Sequence, residues 1–172
     1  MEPRFDLADD LEFRVRPVAV LRSPYRVHEG TPRQPRVGEE VEGFVVVRQG
    51  LQNLLKDLDG FSHVWLIAWM CFARGWNDLV VPPRDMCKRG LFATRAPHRP
   101  NPIGLSLVEL RGIERRVLRI GAHDLLDGTP ILDIKPYLDY ADSVEGARHG
   151  WVDELGEQPG PDHRSWRVEP PR

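Results

Sequence analysis

The pattern of short β-type segments is the feature that most constrains how this chain can fold. These segments alternate apolar and polar residues or are β-branched, Gly and Pro separate them, and they lie at residues 13–21, 42–47, 78–81, 90–94, 105–110, 117–120 and 130–134. Only residues 51–58, with leucines at helical spacing before an Asp-Gly pair, predict a clear helix. Because strands do not alternate with helices, we do not expect a doubly wound parallel sheet. The sequence therefore predicts an all-β, mainly antiparallel fold: a single β-barrel with one or two short helices and long loops.

The chain divides into three parts by composition. Residues 1–12 are charged and aperiodic and predict an N-terminal extension, residues 13–140 hold the predicted strands, and residues 141–172 are acidic and proline-rich. At 172 residues the chain is long enough for one well-buried domain. We therefore expect one barrel domain and a C-terminal arm or tail, parts of which dock through Trp151 and Trp166.

The composition gives expectations for the cellular location of the protein and for the chemistry of its two cysteines. The sequence contains no apolar run long enough to span a membrane, and its acidic start does not resemble a signal peptide, so we expect a cytoplasmic protein. Cys71 and Cys87 lack partners at metal-site spacing, so no metal site is predicted. Because Cys71 ends the apolar run 63–70, we expect it to be a core thiol.

The charges are unevenly distributed along the chain. A formal net charge of −2 excludes a protein that coats nucleic acid. Residues 84–119, however, carry nine Lys or Arg and three acidic residues, whereas residues 120–160 carry nine acidic and two basic ones. The basic segment predicts either a local RNA-binding surface or internal pairing with the acidic segment.

The densest motif is Gly-Leu-Phe-Ala-Thr-Arg-Ala-Pro-His-Arg-Pro-Asn-Pro-Ile-Gly-Leu-Ser at residues 90–106. Its three prolines fix backbone φ angles, so such a loop loses little entropy when a ligand binds. Arg95 and Arg99 can grip a carboxylate or a phosphate in bidentate fashion. The motif thus predicts an anion-binding loop rather than a plain turn.

A second motif covers residues 123–137. Its Asp-Gly-Thr triplet at residues 127–129 predicts a turn between two strands, for which a simple hairpin connection is sufficient. The strand that follows alternates, so Asp133, Lys135 and Tyr137 fall on one face. One polar, ionisable face therefore lies beside a tight turn.

Together these motifs resemble the Phe-x-Thr-Arg-Ser-Pro-His-Arg-Pro-Asn-Pro-Ile-Gly and Asp-Gly-Thr-Pro-x-x-Asp-Ile-Lys-Pro-Tyr signatures of the TsaA-like (TrmO-type) family. Residues 31–35 and 61–65 resemble two further blocks of that family in the same order. The resemblance extends over about residues 15–140. Ala96 departs from the serine that is common in the family, and Cys71 and Phe72 replace a polar pair.

The resemblance implies a single-barrel methyltransferase that uses S-adenosyl-L-methionine and works as a homodimer. Its implied substrate is the threonylcarbamoyl-modified adenosine beside the anticodon of certain tRNAs. Longer bacterial members also carry a C-terminal domain, where this chain has its acidic arm. The cofactor contacts implied for this chain are Pro32, Arg33, Gln34, Arg95, Leu105, Leu126, Asp127, Gly128 and Thr129.

Roles in proton handling and RNA contact are assigned by position. The carbamoyl nitrogen is amide-like and weakly nucleophilic, so a base or a polarising group should help its attack. The catalytic candidates are His98, Asp133, Lys135 and Tyr137, and the RNA-contact candidates are Arg84, Lys88, Arg89 and Arg99. Two alternatives stay open: a module that binds the cofactor without methylating RNA, and a methyltransferase for another carbamoyl or amide substrate.

Overall fold

In the computed structural model, residues 12–27, 31–32, 34–35, 41–83 and 85–155 are described. Six antiparallel strands close into a barrel in the order β1-β2-β7-β6-β3-β8, and β4 and β5 form a separate two-stranded sheet. The strands are β1 (Ala19–Arg22), β2 (Gly43–Val47), β3 (His63–Trp69), β4 (Leu79–Val80), β5 (Arg89–Gly90), β6 (Ile103–Glu114), β7 (Val117–Ile120) and β8 (Pro130–Pro136). The predicted fold class is confirmed.

The barrel interior is filled by every second residue of its strands. In β3, Val64, Leu66 and Ala68 are fully buried, while the residues between them lie on the outer face. Leu21 and Leu118 contribute the same inward layer from β1 and β7. Closing the sheet removes its free edges and encloses its apolar face, so this small core needs no covering helix.

Three long connections leave the barrel at the same end. Because neighbouring strands are antiparallel, the last residues of β1, β3 and β7 lie beside the first residues of β2, β6 and β8. The segments 23–42, 70–102 and 121–129 therefore all start and finish at this end, called the loop end below. Both signature motifs contribute to it.

The prediction of a helix over residues 51–58 is wrong. The segment forms two separate 3₁₀ turns, Gln52–Leu55 and Leu58–Gly60. Lys56 is extended and Asp57 is left-handed, with φ of 64°, so the helical hydrogen-bond pattern cannot continue through them. Leu55 is buried nevertheless, because one turn is enough to direct a leucine into the core. Within the described part of the chain, the one α-helix is α1 (Asp139–Asp142).

Several strand predictions need revised bounds. The first strand starts at Ala19 rather than residue 13, and the segment predicted as a strand at 90–94 is the end of β5 followed by a 3₁₀ turn, Leu91–Ala93. β6 is longer than predicted because it pairs with both β3 and β7. The turn at 127–129 is not a hairpin, since β8 pairs with β1 and β3 and not with β7.

The chain outside the barrel corrects one expectation and supports another. Cys71 is exposed rather than buried, because β3 ends at Trp69 and the chain turns outward there. The Trp151 Nε1–H donates to the Ala93 carbonyl over 2.8 Å, so the start of the C-terminal arm lies against the loop end. Trp166 lies outside the described residues. In the described part, no helix is long and apolar enough to cross a membrane.

Candidate functional site

A polar cluster joins the three connections at the loop end. Ser106, inward-facing on β6, donates from its hydroxyl to Asp124 Oδ1 over 2.6 Å. Arg95 Nη1 donates to Gln34 Oε1 over 2.8 Å, and the guanidinium charge of Arg95 also acts on Asp124. The cluster thus takes Gln34, Arg95 and Asp124 from three different connections.

Asp124 is the acid of this cluster, and its pKa is shifted. Burial raises the pKa of Asp124 to about 6, while the hydrogen bond from Ser106 and the charge of Arg95 act in the opposite direction. Burial prevails because the two neighbours replace only part of the lost hydration. Asp124 is therefore an anion at neutral pH that can pair with a cationic group or accept a proton near neutrality.

The turn of residues 126–129 is held rigidly against the end of β1. Gly128 has a φ of +79°, which a residue with a side chain adopts only with strain. Its amide donates to the Leu21 carbonyl over 2.9 Å, and the Asp127 amide donates to the Tyr25 carbonyl over 2.7 Å. The Asp127 carboxylate also accepts from the Ser23 amide over 3.1 Å. The turn is thus pre-organised, which favours a ligand contact at low entropic cost.

A buried histidine, His123, packs beside this turn. His123 is completely buried, and its ring stands edge-on to Tyr25 with centroids 5.2 Å apart. Burial lowers the pKa of His123, which keeps the imidazole neutral. The ring fits because Gly43 opposite has no side chain: a Cβ there would lie 2.8 Å from the imidazole. His123 is a packing residue in this arrangement.

The other residues implied as cofactor contacts are distributed as follows. Leu126 and Thr129 are buried in the turn, and Pro32 is partly buried. Leu105 points outward from β6 and is 54% exposed, opposite to its neighbour Ser106. Arg33 lies outside the described residues.

The four catalytic candidates lie in two separate parts of the molecule: the outer face of β8 and its end, and the connection at residues 70–102. Lys135 Nζ and Asp133 Oδ2 form an ion pair of 2.7 Å on the outer face of β8, and the Tyr137 ring lies 6.3 Å from that of Trp65. His98 is held by a different connection, where its Nδ1–H donates to the Arg74 carbonyl over 3.0 Å. Leu105 lies near Asp133 on the same outer surface of the barrel, because Ile67 of β3 pairs with Leu105 on one side and with Asp133 on the other.

Two of the predicted RNA contacts are already engaged within the protein. Arg89 donates to Asp85 over 2.7 Å, and its guanidinium lies over the Trp151 ring at 5.2 Å. Arg99 donates to the Thr94 carbonyl over 2.9 Å. Lys88 is exposed, and Arg84 lies outside the described residues.

Sequence reasoning missed Ser106 and Asp124, although both lie inside the quoted motifs. The alternation of β6 contained the signal for Ser106: it shares its face with Val108 and Leu110, so a hydroxyl at an inward position needs a polar partner. No comparable pattern predicts Asp124, because the connection at 121–129 has no periodicity.

These features define a class of protein: a small closed barrel whose connections gather polar and charged side chains at one end. Residues 20–143 match the family described as tRNA-methyltransferase O N-terminal domain, and the chain belongs to that family.

Individual relatives agree with this assignment. The chain is 42% identical to a probable S-adenosyl-L-methionine-binding protein of Archaeoglobus fulgidus, over 84% of this chain and 39% of the relative. It is 38% identical to the tRNA (adenine(37)-N6)-methyltransferase of Escherichia coli, over 78% of this chain and 62% of the relative. The crystal structure of TrmO from Pseudomonas aeruginosa superimposes with a TM-score of 0.71 at 38% identity, covering 83% of this chain and 64% of that one. The chain thus spans less than two thirds of the length of each of these proteins.

Proposed function

We propose that this chain is an S-adenosyl-L-methionine-dependent methyltransferase that N-methylates the threonylcarbamoyl-modified adenosine next to the tRNA anticodon. The observation that carries the proposal is the meeting of Gln34, Arg95 and Asp124 at the loop end. The name of the Archaeoglobus relative supports the cofactor, and the name of the Escherichia coli relative supports methylation of N6 of adenine 37 in tRNA. We place the protein in the cytoplasm for this role.

The side chains at the loop end fit the charges of this cofactor. S-adenosyl-L-methionine carries a carboxylate, an ammonium group and a sulfonium, and it supplies an electrophilic methyl group when bound. Arg95 and Gln34 are donors suited to the carboxylate, and Asp124 and Asp127 are acceptors suited to the cationic groups. Leu126 adds an apolar surface. We propose these five residues as the cofactor site, together with Pro32, Arg33, Leu105, Gly128 and Thr129.

The protein's own part in the reaction is to place the substrate nitrogen, exclude water and handle one proton. His98, Asp133, Lys135 and Tyr137 remain proposed catalytic residues. The ion pair with Asp133 places the Lys135 ammonium on the outer face of β8, where it can polarise a carbonyl oxygen of the substrate.

We also propose that the functional unit is a homodimer. The outer face of β3 and β6 is apolar, and its residues pair across the two strands as Trp65 with Leu107, Ile67 with Leu105 and Trp69 with Ile103. Ile103 and Leu105 are each about half exposed, at 49% and 54%. A second copy on this face would cover them and would reach Asp133 and Lys135 on the adjoining strand. Sedimentation should give twice the 19.7 kDa chain mass; a monomer that binds the cofactor tightly contradicts the dimer.

The proposed function is tested by transfer of labelled methyl to bulk tRNA from a strain that lacks the endogenous enzyme. We expect label in the tRNA and tight cofactor binding by isothermal titration. Binding without transfer to tRNA would favour the cofactor-binding module. Transfer to a small carbamoyl or amide compound but not to tRNA would favour a methyltransferase for another carbamoyl or amide substrate.

A further inference from the structure

We propose that the outer face of β1, β2 and β7 binds unpaired RNA, with Phe44 as a stacking surface for a base and with Arg22 and Arg119 contacting the neighbouring phosphates. This proposal rests on the proposed tRNA substrate and says where the RNA strand lies. We call these three residues the Phe44 platform.

The strand register places the three residues of the platform in one row. Arg22 of β1 pairs with Phe44 of β2, and Phe44 pairs with Arg119 of β7. Their chain neighbours Leu21, Val45 and Leu118 are fully buried, so all three platform side chains lie on the outside of the barrel. Phe44 is 42% exposed and the Arg22 side chain 59%. An aromatic ring between two arginines on a sheet surface is the arrangement that unpaired bases and their phosphates require.

Two open depressions lie on either side of Phe44. One, of about 390 Å³, is lined by Arg22, Arg26 and Asp127 among others, and the other, of about 640 Å³, extends over the turn between β6 and β7. Phe44 lines both of them. A single strand can therefore continue past the ring in both directions, whereas the bases of a duplex are already paired and stacked and are not available to lie on the ring.

The charge of this surface matches phosphate. The two depressions are lined by five arginines, Arg22, Arg26, Arg115, Arg116 and Arg119, and by three carboxylates. One of the carboxylates, Glu42, already pairs with Arg111 over 3.0 Å. The balance is therefore positive despite the chain's net charge of −2.

The platform also has a suitable position. Arg22 is the last residue of β1, and its guanidinium lies 3.9 Å from the Asp127 carboxylate in the turn of the proposed cofactor site. A strand lying on Phe44 can therefore deliver an adjacent base to the loop end. The segment around Arg89 and Arg99 is less suited to this task, because both side chains are partly buried and bind protein groups over 2.7 and 2.9 Å. Arg22 and Arg119 are exposed, and their own protein contacts are longer, at 3.9 and 3.4 Å.

The test measures binding of a dye-labelled anticodon stem–loop hairpin, and of a fully paired RNA duplex of equal length, to the full chain by fluorescence anisotropy. We expect the hairpin to bind more tightly than the duplex. Phe44→Leu should weaken hairpin binding at least about fivefold, because base stacking on an aromatic ring is lost, whereas Phe44→Tyr should bind like the original protein. Arg119→Gln should make the salt dependence shallower by about 0.7 in the logarithmic slope.

Phe13→Leu is the matched control, since Phe13 is 80% exposed, lies before β1 and outside both motifs, and should not affect hairpin binding. Unchanged hairpin affinity in Phe44→Leu, equal loss in Phe13→Leu, or no preference for the hairpin over the duplex would each overturn the platform. So would loss of dimer mass in Phe44→Leu without loss of RNA affinity, which would assign this face to a second copy. Methyl transfer by the unmodified chain is measured separately, so failure of the platform and failure of the methyltransferase proposal are distinguished.

Discussion

Replacement of Asp124 by Asn should stabilise the fold at neutral pH and abolish a specific pH dependence. Burial raises the pKa of Asp124 to about 6 from an ordinary value of 3.8, so the folded state holds this proton more tightly than the unfolded state does. Between about pH 4 and 6 the free energy of unfolding therefore falls as the pH rises, and above about pH 6 this contribution is constant. This difference in the pKa of Asp124 between the unfolded and folded states lowers the free energy of unfolding by at most about 3 kcal/mol.

The Asp124→Asn variant keeps an acceptor for the Ser106 hydroxyl but carries no charge at any pH. We expect the variant and the original chain to be similarly stable near pH 4. At pH 7 the variant should be more stable by up to about 3 kcal/mol, an increase in Tm of at most roughly 10 °C. The difference between the two chains is the useful quantity, because the other carboxylates contribute equally to both.

The assay is thermal and urea unfolding at a series of pH values from 4 to 8. Asp59→Asn serves as the control, since Asp59 is exposed in the 3₁₀ turn Leu58–Gly60 at the other end of the barrel, and its effect should not vary with pH in this way. Asp124 is not the source of this pH dependence if the stability difference between Asp124→Asn and the original chain stays constant with pH. The same holds if that difference favours the original chain more at pH 7 than at pH 4.

Three further outcomes are expected. Arg95→Ala should weaken S-adenosyl-L-methionine binding by about 1.5–3 kcal/mol in isothermal titration while the protein stays folded, because a charge-assisted contact is lost; unchanged affinity would contradict the proposed cofactor site. Gly43→Ala should destabilise the fold by about 1–3 kcal/mol in urea unfolding, because its Cβ would lie 2.8 Å from the His123 ring, whereas Gly60→Ala meets no atom within 4 Å and should cost less; equal effects would refute this packing account. Arg89→Ala should lower Tm and leave the salt dependence of hairpin binding unchanged, because its guanidinium is held by protein groups; a shallower slope with unchanged Tm would return Arg89 to the RNA contact.

The barrel could be predicted from the sequence because its main strands carry their own signal. β2 and β7 lie where alternation and β-branched residues place them, and closure follows from the number of strands and the scarcity of helices. The helix prediction at 51–58 depends on leucine spacing and on the Asp-Gly pair that follows it. Spacing does not reveal that Asp57 adopts a left-handed conformation, which ends the first turn.

The site was harder to predict, because it depends on pairing between distant segments. The motifs contain Gln34, Arg95 and the 127–129 turn, but their meeting at one end follows from the strand order, which periodicity does not specify. The Phe44 platform has the same origin. Arg22, Phe44 and Arg119 are far apart in sequence and form one row only through the register of β1, β2 and β7.

Methylation of threonylcarbamoyladenosine is measured directly by mass analysis of the nucleosides of one tRNA population. Bulk tRNA from a strain without the endogenous enzyme is incubated with this chain and S-adenosyl-L-methionine, digested to nucleosides and compared with an Arg95→Ala reaction. We expect threonylcarbamoyladenosine to be converted to a product that is heavier by one methylene and carries the new methyl on nitrogen, with much less product from the variant. Unchanged threonylcarbamoyladenosine, in a sample where the chain is folded and has bound the cofactor, would contradict it.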